Sequence, residues 1–164
     1  MICKLGKCVY NKKIMEIKET FYQAFQDKLK ETLASPKPDC EWITRLYREI
    51  KNRLQRLVSP TNPLYNDVGE NLDPELFHQM LEHGVFQGPE FVGLLNFIFD
   101  ILLKLGAPAR DEFVNQQKQE IVNALTEQAT LADIVPKFII SVNQIIDFIY
   151  LDIADLKKNI DSVK

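Results

Sequence analysis

From Gly88 to Gly106 the chain reads GPEFVGLLNFIFDILLKLG, with helix punctuation at both ends. Gly88 is placed for an N-cap, Pro89 suits the first turn, and Glu90 complements the positive end of a helix. Lys104 falls in the last turn, Gly106 is positioned for a left-handed C′ residue, and Pro108 forbids continuation. Only Asn96, Asp100 and Lys104 interrupt the apolar run. Their i, i+4, i+8 spacing places them on one narrow polar stripe. A helix apolar on nearly every face belongs among other helices. This one falls short of the roughly 20 apolar residues a membrane span requires. The expectation is an all-α, single-domain bundle of five to six helices around a buried central hairpin, with residues 91–103 the most buried.

The length of 164 residues suits one domain, and 46% apolar with 26% charged residues is ordinary for a globular chain. Met1 to Tyr10 lacks the apolar run of a signal peptide, and no segment is read as a membrane span. Cys3, Cys8 and Cys40 are odd in number, which argues against a disulfide framework and for a reducing, cytoplasmic setting. The net charge of −3 is divided unevenly: residues 1–65 carry +6 and residues 66–164 carry −9. Either the two halves attract each other, or the basic half faces an acidic partner.

Residues 1–13 read as a flexible basic arm and residues 14–164 as the helical domain. Ile14, Ile17, Phe21, Phe25, Leu29 and Leu33 recur at spacings of three and four, which marks the buried face of a helix over 11–34. Ser35-Pro36-Lys37-Pro38 ends it. Asp39 caps a second helix, whose Ile43, Leu46, Tyr47, Ile50, Leu54 and Leu57 point inward. Arg45, Arg48, Lys51, Arg53 and Arg56 spread over its remaining surface and are the candidate partner-binding residues. No aromatic stripe accompanies them, which speaks against nucleic acid. Residues 59–72 are rich in Pro, Asn and Gly and read as a loop. Asp73-Pro74-Glu75 opens a helix that stops at His83-Gly84 and pairs with the central helix as a hairpin. A more polar helix follows over 110–128. Thr130 caps the last helix, where Pro136 should kink or break it. Ile139, Val142, Ile146, Ile149, Ile153, Leu156, Ile160 and Val163 then form a heptad seam. That seam either packs on the bundle or makes a homodimer through residues 139–163.

No catalytic constellation emerges: there is no phosphate-binding glycine loop, no G-x-S-x-G and no CxxC pair. Cys3 with Cys8 and His78 with His83 have poor spacing for structural zinc, so neither a metal nor any other cofactor is expected. Glu82 beside His83 could serve acid/base chemistry, and Asp100 could be perturbed by apolar surroundings. The structural readings are stronger. His83 complements a helix C-terminus, and Asp100 can pair with Lys104.

Several stretches taken together resemble the T-complex protein 11 family. They are WITRLYREIKNRLQRLVSP from Trp42, LDPELFHQMLEHGVF from Leu72, LGAPARDE from Leu105 and YLDIADL from Tyr150. The resemblance covers about residues 14–158 and corresponds to the N-terminal part of the family domain, so the chain is expected to be a short form, a fragment or a divergent relative. It departs from the family at Gly106, where cysteine is common, and at Asp155, where asparagine is common. The resemblance implies a non-enzymatic protein-interaction or regulatory module linked to signalling through cyclic AMP and its dependent kinase, with protein partners. It supplies no catalytic residues. Within the matching stretches Glu82, His83, Gly84, Pro108, Arg110, Asp111 and Asp152 are expected to be structural, and Arg110 to seek a carboxylate or a helix carbonyl end. The alternative is a groove-bearing bundle of the Bcl-2 type that binds an amphipathic helix, although Gln-Gly-Pro-Glu stands here where those proteins carry Asn-Trp-Gly-Arg.

Overall fold

The second to fifth helices each start at a local signal, a side-chain cap or a first-turn proline. In the computed structural model, which describes residues 2–85 and 88–163, helix α1 spans Ile2–Ala34 and α2 spans Cys40–Arg56. The Asp39 carboxylate accepts the Trp42 amide at 3.0 Å and caps α2. Helix α3 covers Pro63–Asn71 and α4 covers Pro74–His83. Both begin with a side-chain cap followed by proline, Asn62-Pro63 and Asp73-Pro74. Helix α5 runs Pro89–Leu105, a 3₁₀ turn takes Pro108–Arg110, α6 runs Asp111–Thr126 and α7 runs Leu131–Val163. No strand occurs among the described residues. The chain is one all-α domain.

The six expected helices are present, and α3 is added within the stretch read as a loop. α1 begins at Ile2, ahead of the expected start near Asn11. The side chains of residues 1–15 lie outside the described ones, and so does the linker pair Phe86-Gln87. Gly84 has φ 65° and closes α4 in the left-handed conformation. Gly106 does not take that conformation. Its backbone is extended, at φ −83° and ψ 163°, and a Cβ there would lie 2.9 Å from the Leu102 carbonyl oxygen. Close approach, rather than positive φ, is what glycine allows at this position.

The centre of the bundle is α7. Within 134–149 every residue is buried except Lys137, Asn143, Gln144, Asp147 and Phe148. α7 packs against α1, α2, α5 and α6. Residues 91–103 are less buried than expected, because α5 has neighbours chiefly on one side, α6 and α7. Phe91, Leu95, Ile98, Phe99, Ile101 and Leu102 face inward, while Val92, Gly93, Asn96 and Asp100 are exposed. α4 packs mainly on α2, so the α4–α5 pair is splayed rather than closed along its length. Aromatic rings tie these layers together. Tyr47 of α2 stacks on Phe77 of α4 with centroids 4.0 Å apart, Phe77 leans on Phe138 of α7, and Phe138 meets Phe91 of α5 edge-on. All four rings are fully buried. Truncating any of them costs about 3–5 kcal/mol on general grounds.

Pro136 neither breaks α7 nor ends it. It lies within the first two turns, where its missing N–H removes one bond, and its ring is buried. Two apolar stripes run past the core. In α1 Leu29 and Leu33 are buried, but Phe21 and Ile17 are 63% and 68% exposed, against the expectation of one continuous buried face. In α7 the seam is buried at Ile139, Val142, Ile146 and Ile149, half-buried at Ile153, and open at Leu156 and Ile160. The reason is that α5 stops at Leu105, and Gly106 already lies against Ile149. By length and composition α7 could cross a membrane, contrary to the reading of the sequence; most of its apolar window is buried within the bundle.

Candidate functional site

Two arginines fasten the bundle from within. Arg53 of α2 donates through Nη2 to Asp147 Oδ1 at 2.5 Å and through Nη1 to Asn143 Oδ1 at 2.6 Å, both on α7. Its Cζ lies 5.7 Å from the Tyr150 ring centre. Tyr22 of α1 donates its hydroxyl to the other oxygen of Asp147. Burial and that carboxylate push the Tyr22 phenol well above its ordinary range. Arg53 is thus removed from the basic face to which the sequence pattern assigned it.

Arg110 closes the α5–α6 turn onto α7. Its Nε donates to Asp152 Oδ2 at 2.6 Å and its Nη2 to Oδ1 at 2.8 Å, a bidentate pair, while its Cζ stands 4.2 Å from the centre of the Phe148 ring. The guanidinium hydrogen bond holds the Asp152 carboxyl below the usual carboxylate range. Pro108 and Asp111 flank this arginine as the start of the 3₁₀ turn and of α6.

The remaining candidates are scattered. Arg48 reaches Glu75 at 3.8 Å and Arg56 reaches Glu49 at 3.4 Å, both at the surface. Arg45 is exposed and Lys51 half-buried, and neither has an ion pair among the described residues. Glu82 is engaged by His78 Nε2 at 3.1 Å rather than by His83, and the other nitrogen of His78 meets Thr44 Oγ1 at 2.8 Å. His83 is exposed. Asp100 and Lys104 are both exposed and not paired among the described residues, so Asp100 lacks the apolar surroundings expected of it. No group of three or more His, Cys, Asp or Glu side chains converges among the described residues; the Cys3 and Cys8 side chains lie outside them.

The splay of α4 from α5 leaves a cleft of about 270 Å³. It is lined by Tyr47 of α2, by Leu76, Phe77 and Met80 of α4, and by Gly93, Leu94 and Phe97 of α5. Asp73 and Glu90, from the starts of α4 and α5, also line it. A Cβ added at Gly93 would meet nothing within 4 Å, so the wall is open there. Burial and the nearby Asp73 carboxylate push the Tyr47 phenol upward. None of these residues stood out in the sequence as a site, because they come from α2, α4 and α5 and share no local pattern. The one local sign is Gly93 inside a strongly apolar helix, where glycine is about 1 kcal/mol worse than alanine.

A family model described as T-complex protein 11 matches residues 9–157. The chain belongs to the T-complex protein 11 family. It is 38% identical over 105 residues to the human T-complex protein 11-like X-linked protein 1, which is 63% of this chain and 20% of that protein. It is 36% identical over 102 residues to the human T-complex protein 11 homolog, covering 62% and 20% respectively. The mouse T-complex protein 11 is 31% identical over 102 residues, covering 62% and 18%. The chain therefore aligns with about one fifth of the length of the curated relatives it matches. No solved structure matches it. The family-like stretches occupy distinct roles in the bundle. WITRLYREIKNRLQRLVSP forms most of α2 and supplies Tyr47 and Arg53, and LDPELFHQMLEHGVF forms α4 with its two caps. LGAPARDE and YLDIADL, far apart in the chain, contribute the two partners of the Arg110–Asp152 pair. These four stretches thus supply residues that orient helices around α7 and line part of the α4–α5 cleft.

Proposed function

We propose that this chain is a non-enzymatic protein-interaction module, and that its contact site is the cleft between α4 and α5, which receives an amphipathic helix of a protein partner. The observation that carries the reading is the cleft itself. Ligand sites are concave and mostly apolar with a few placed polar groups, and this one is lined by three aromatic and three aliphatic side chains with one carboxylate from each flanking helix. An engineered cavity of about 150 Å³ accommodates one benzene ring, so 270 Å³ suits roughly two apolar side chains. Helices bound in grooves present such anchors at i and i+3 or i+4. A groove that takes an amphipathic helix is the feature this reading shares with the Bcl-2-type alternative; here α7 is the most enclosed helix. Signalling through the cyclic AMP-dependent kinase, implied by the family resemblance, is the setting in which such a module would act. Glu82, the first of the three groups weighed for catalysis, is engaged by His78, and His83 and Asp100 are open to solvent, which favours binding over chemistry.

The test is Gly93→Leu. The new side chain enters open space and replaces a poor helix former, so thermal stability should hold or rise. Binding of a fluorophore-labelled amphipathic helix, followed by anisotropy, should be lost. Undiminished binding would remove the cleft as the contact site.

A further inference from the structure

Resting on the cleft reading, we infer that the helix it takes is a basic one: an amphipathic segment whose apolar stripe is flanked by lysine or arginine. The lining of the cleft includes two carboxylates, Asp73 and Glu90, and no lysine, arginine or histidine. Neither carboxylate has a basic partner within 4.0 Å among the described residues. They come from the two helices that flank the cleft, Asp73 from the start of α4 and Glu90 from the start of α5. Asp73 caps α4 with one oxygen only, since Oδ1 accepts both the Glu75 and Leu76 amides. Its Oδ2 remains for a cation. Glu90 lies in the first turn of α5 and is exposed. The positive ends of α4 and α5 offset part of these charges. Nearby, Arg48 is already directed at Glu75, outside the lining. The surroundings reinforce the sign, because residues 66–164, which form α4 through α7 and most of α3, carry a net −9.

Physical chemistry then sorts the possible occupants. An acidic helix would place like charges beside two unpaired carboxylates next to an apolar lining, where screening is weaker than in open water. A neutral apolar helix would leave both carboxylates without partners. A basic one satisfies them and is steered toward the acidic half of the molecule before contact. The pairs lie at the rim, so their effect is selectivity and salt dependence more than bulk affinity.

The experiment compares two labelled probes of one design, a Leu–Lys amphipathic helix and its Leu–Glu counterpart, by fluorescence anisotropy. The proteins are the wild-type chain, the double variant Asp73→Asn/Glu90→Gln, and Gly93→Leu. Asparagine caps a helix about as well as aspartate, so the double variant keeps α4 intact. The Leu–Lys helix should bind the wild type in preference to the Leu–Glu helix. The double variant should bind the Leu–Lys helix about five- to tenfold more weakly, and the difference should shrink as salt is raised. Equal binding of the two probes, or unchanged binding by the double variant, overturns the inference. If Gly93→Leu still abolishes binding in that event, the cleft reading stands while the basic preference falls. If Gly93→Leu leaves Leu–Lys binding intact, the probe is bound elsewhere and the cleft reading falls as well.

Discussion

Arg110 begins a helix with a positive charge, a locally unfavourable placement by roughly 0.3–1 kcal/mol. Asp152 offsets it through two short charge-assisted bonds, and the Phe148 face adds a cation–π contact. The two side chains are 32% and 26% exposed, which places the pair between a surface bridge and a buried one. Arg110→Ala should therefore lower stability by about 1–2 kcal/mol, a fall of several degrees in Tm for a chain of this size, with helical content unchanged. Arg110→Lys should recover less than half, since lysine lacks the planar fork. The pH dependence follows from the lowered Asp152 carboxyl. Its contribution is present above the unfolded carboxylate range near 4 and is lost as pH falls through the folded value below it. The stability gap between wild type and Asp152→Asn, measured by denaturant titration, should close in acid. Arg53 is more enclosed, at 18% exposure, and its loss removes the guanidinium from Asp147 and leaves the Tyr22 hydroxyl bond in place. Arg53→Ala should cost more than Arg110→Ala, about 2–3 kcal/mol; an equal or smaller loss would show that water replaces the guanidinium freely.

For α2, α4 and α5 the starts were legible in the sequence, and the neighbours were not. Asp39, Asp73-Pro74, Pro89 and Gly84 act within one turn, so each boundary could be read from a few residues. Asn62-Pro63 carries the same cap-then-proline signal as Asp73-Pro74, but the surrounding Pro, Asn and Gly hid α3. The order of burial was not readable, because α5 and α7 both show broad apolar faces and only their neighbours decide which is enclosed. The heptad seam of α7 likewise gives a periodicity and no partner. Its first half is core, and its second half extends beyond α5. Ile146→Ala should then cost about 2–5 kcal/mol, whereas Leu156→Ser with Ile160→Ser should change stability by less than about 0.5 kcal/mol. Equal losses from the two, measured in urea, would mean that the exposed seam is covered, and sedimentation would then reveal a second copy along the 153–160 face.

For the molecule as a whole, the uneven charge is resolved inside the bundle in part. The basic first half meets the acidic second half through Arg53–Asp147 and Arg48–Glu75, as α2 packs on α7 and α4. This intramolecular attraction engages Arg53 and Arg48, and leaves the carboxylates of the α4–α5 cleft unpaired among the described residues. The cleft itself could not be read from the chain. It exists because α4 follows α2 while α5 follows α6 and α7, a consequence of tertiary packing that separates two helices adjacent in sequence. Slow hydrogen exchange should centre on 134–149 rather than on 91–103, in keeping with α7 as the enclosed element. The most direct test of the account is the amide spectrum of the labelled chain as a Leu–Lys amphipathic helix is added. Shifts should cluster at Tyr47, Asp73, Leu76, Gly93 and Phe97, around the cleft. Shifts confined to the exposed apolar residues Ile17, Phe21, Leu156 and Ile160, with the cleft unmoved, would contradict it.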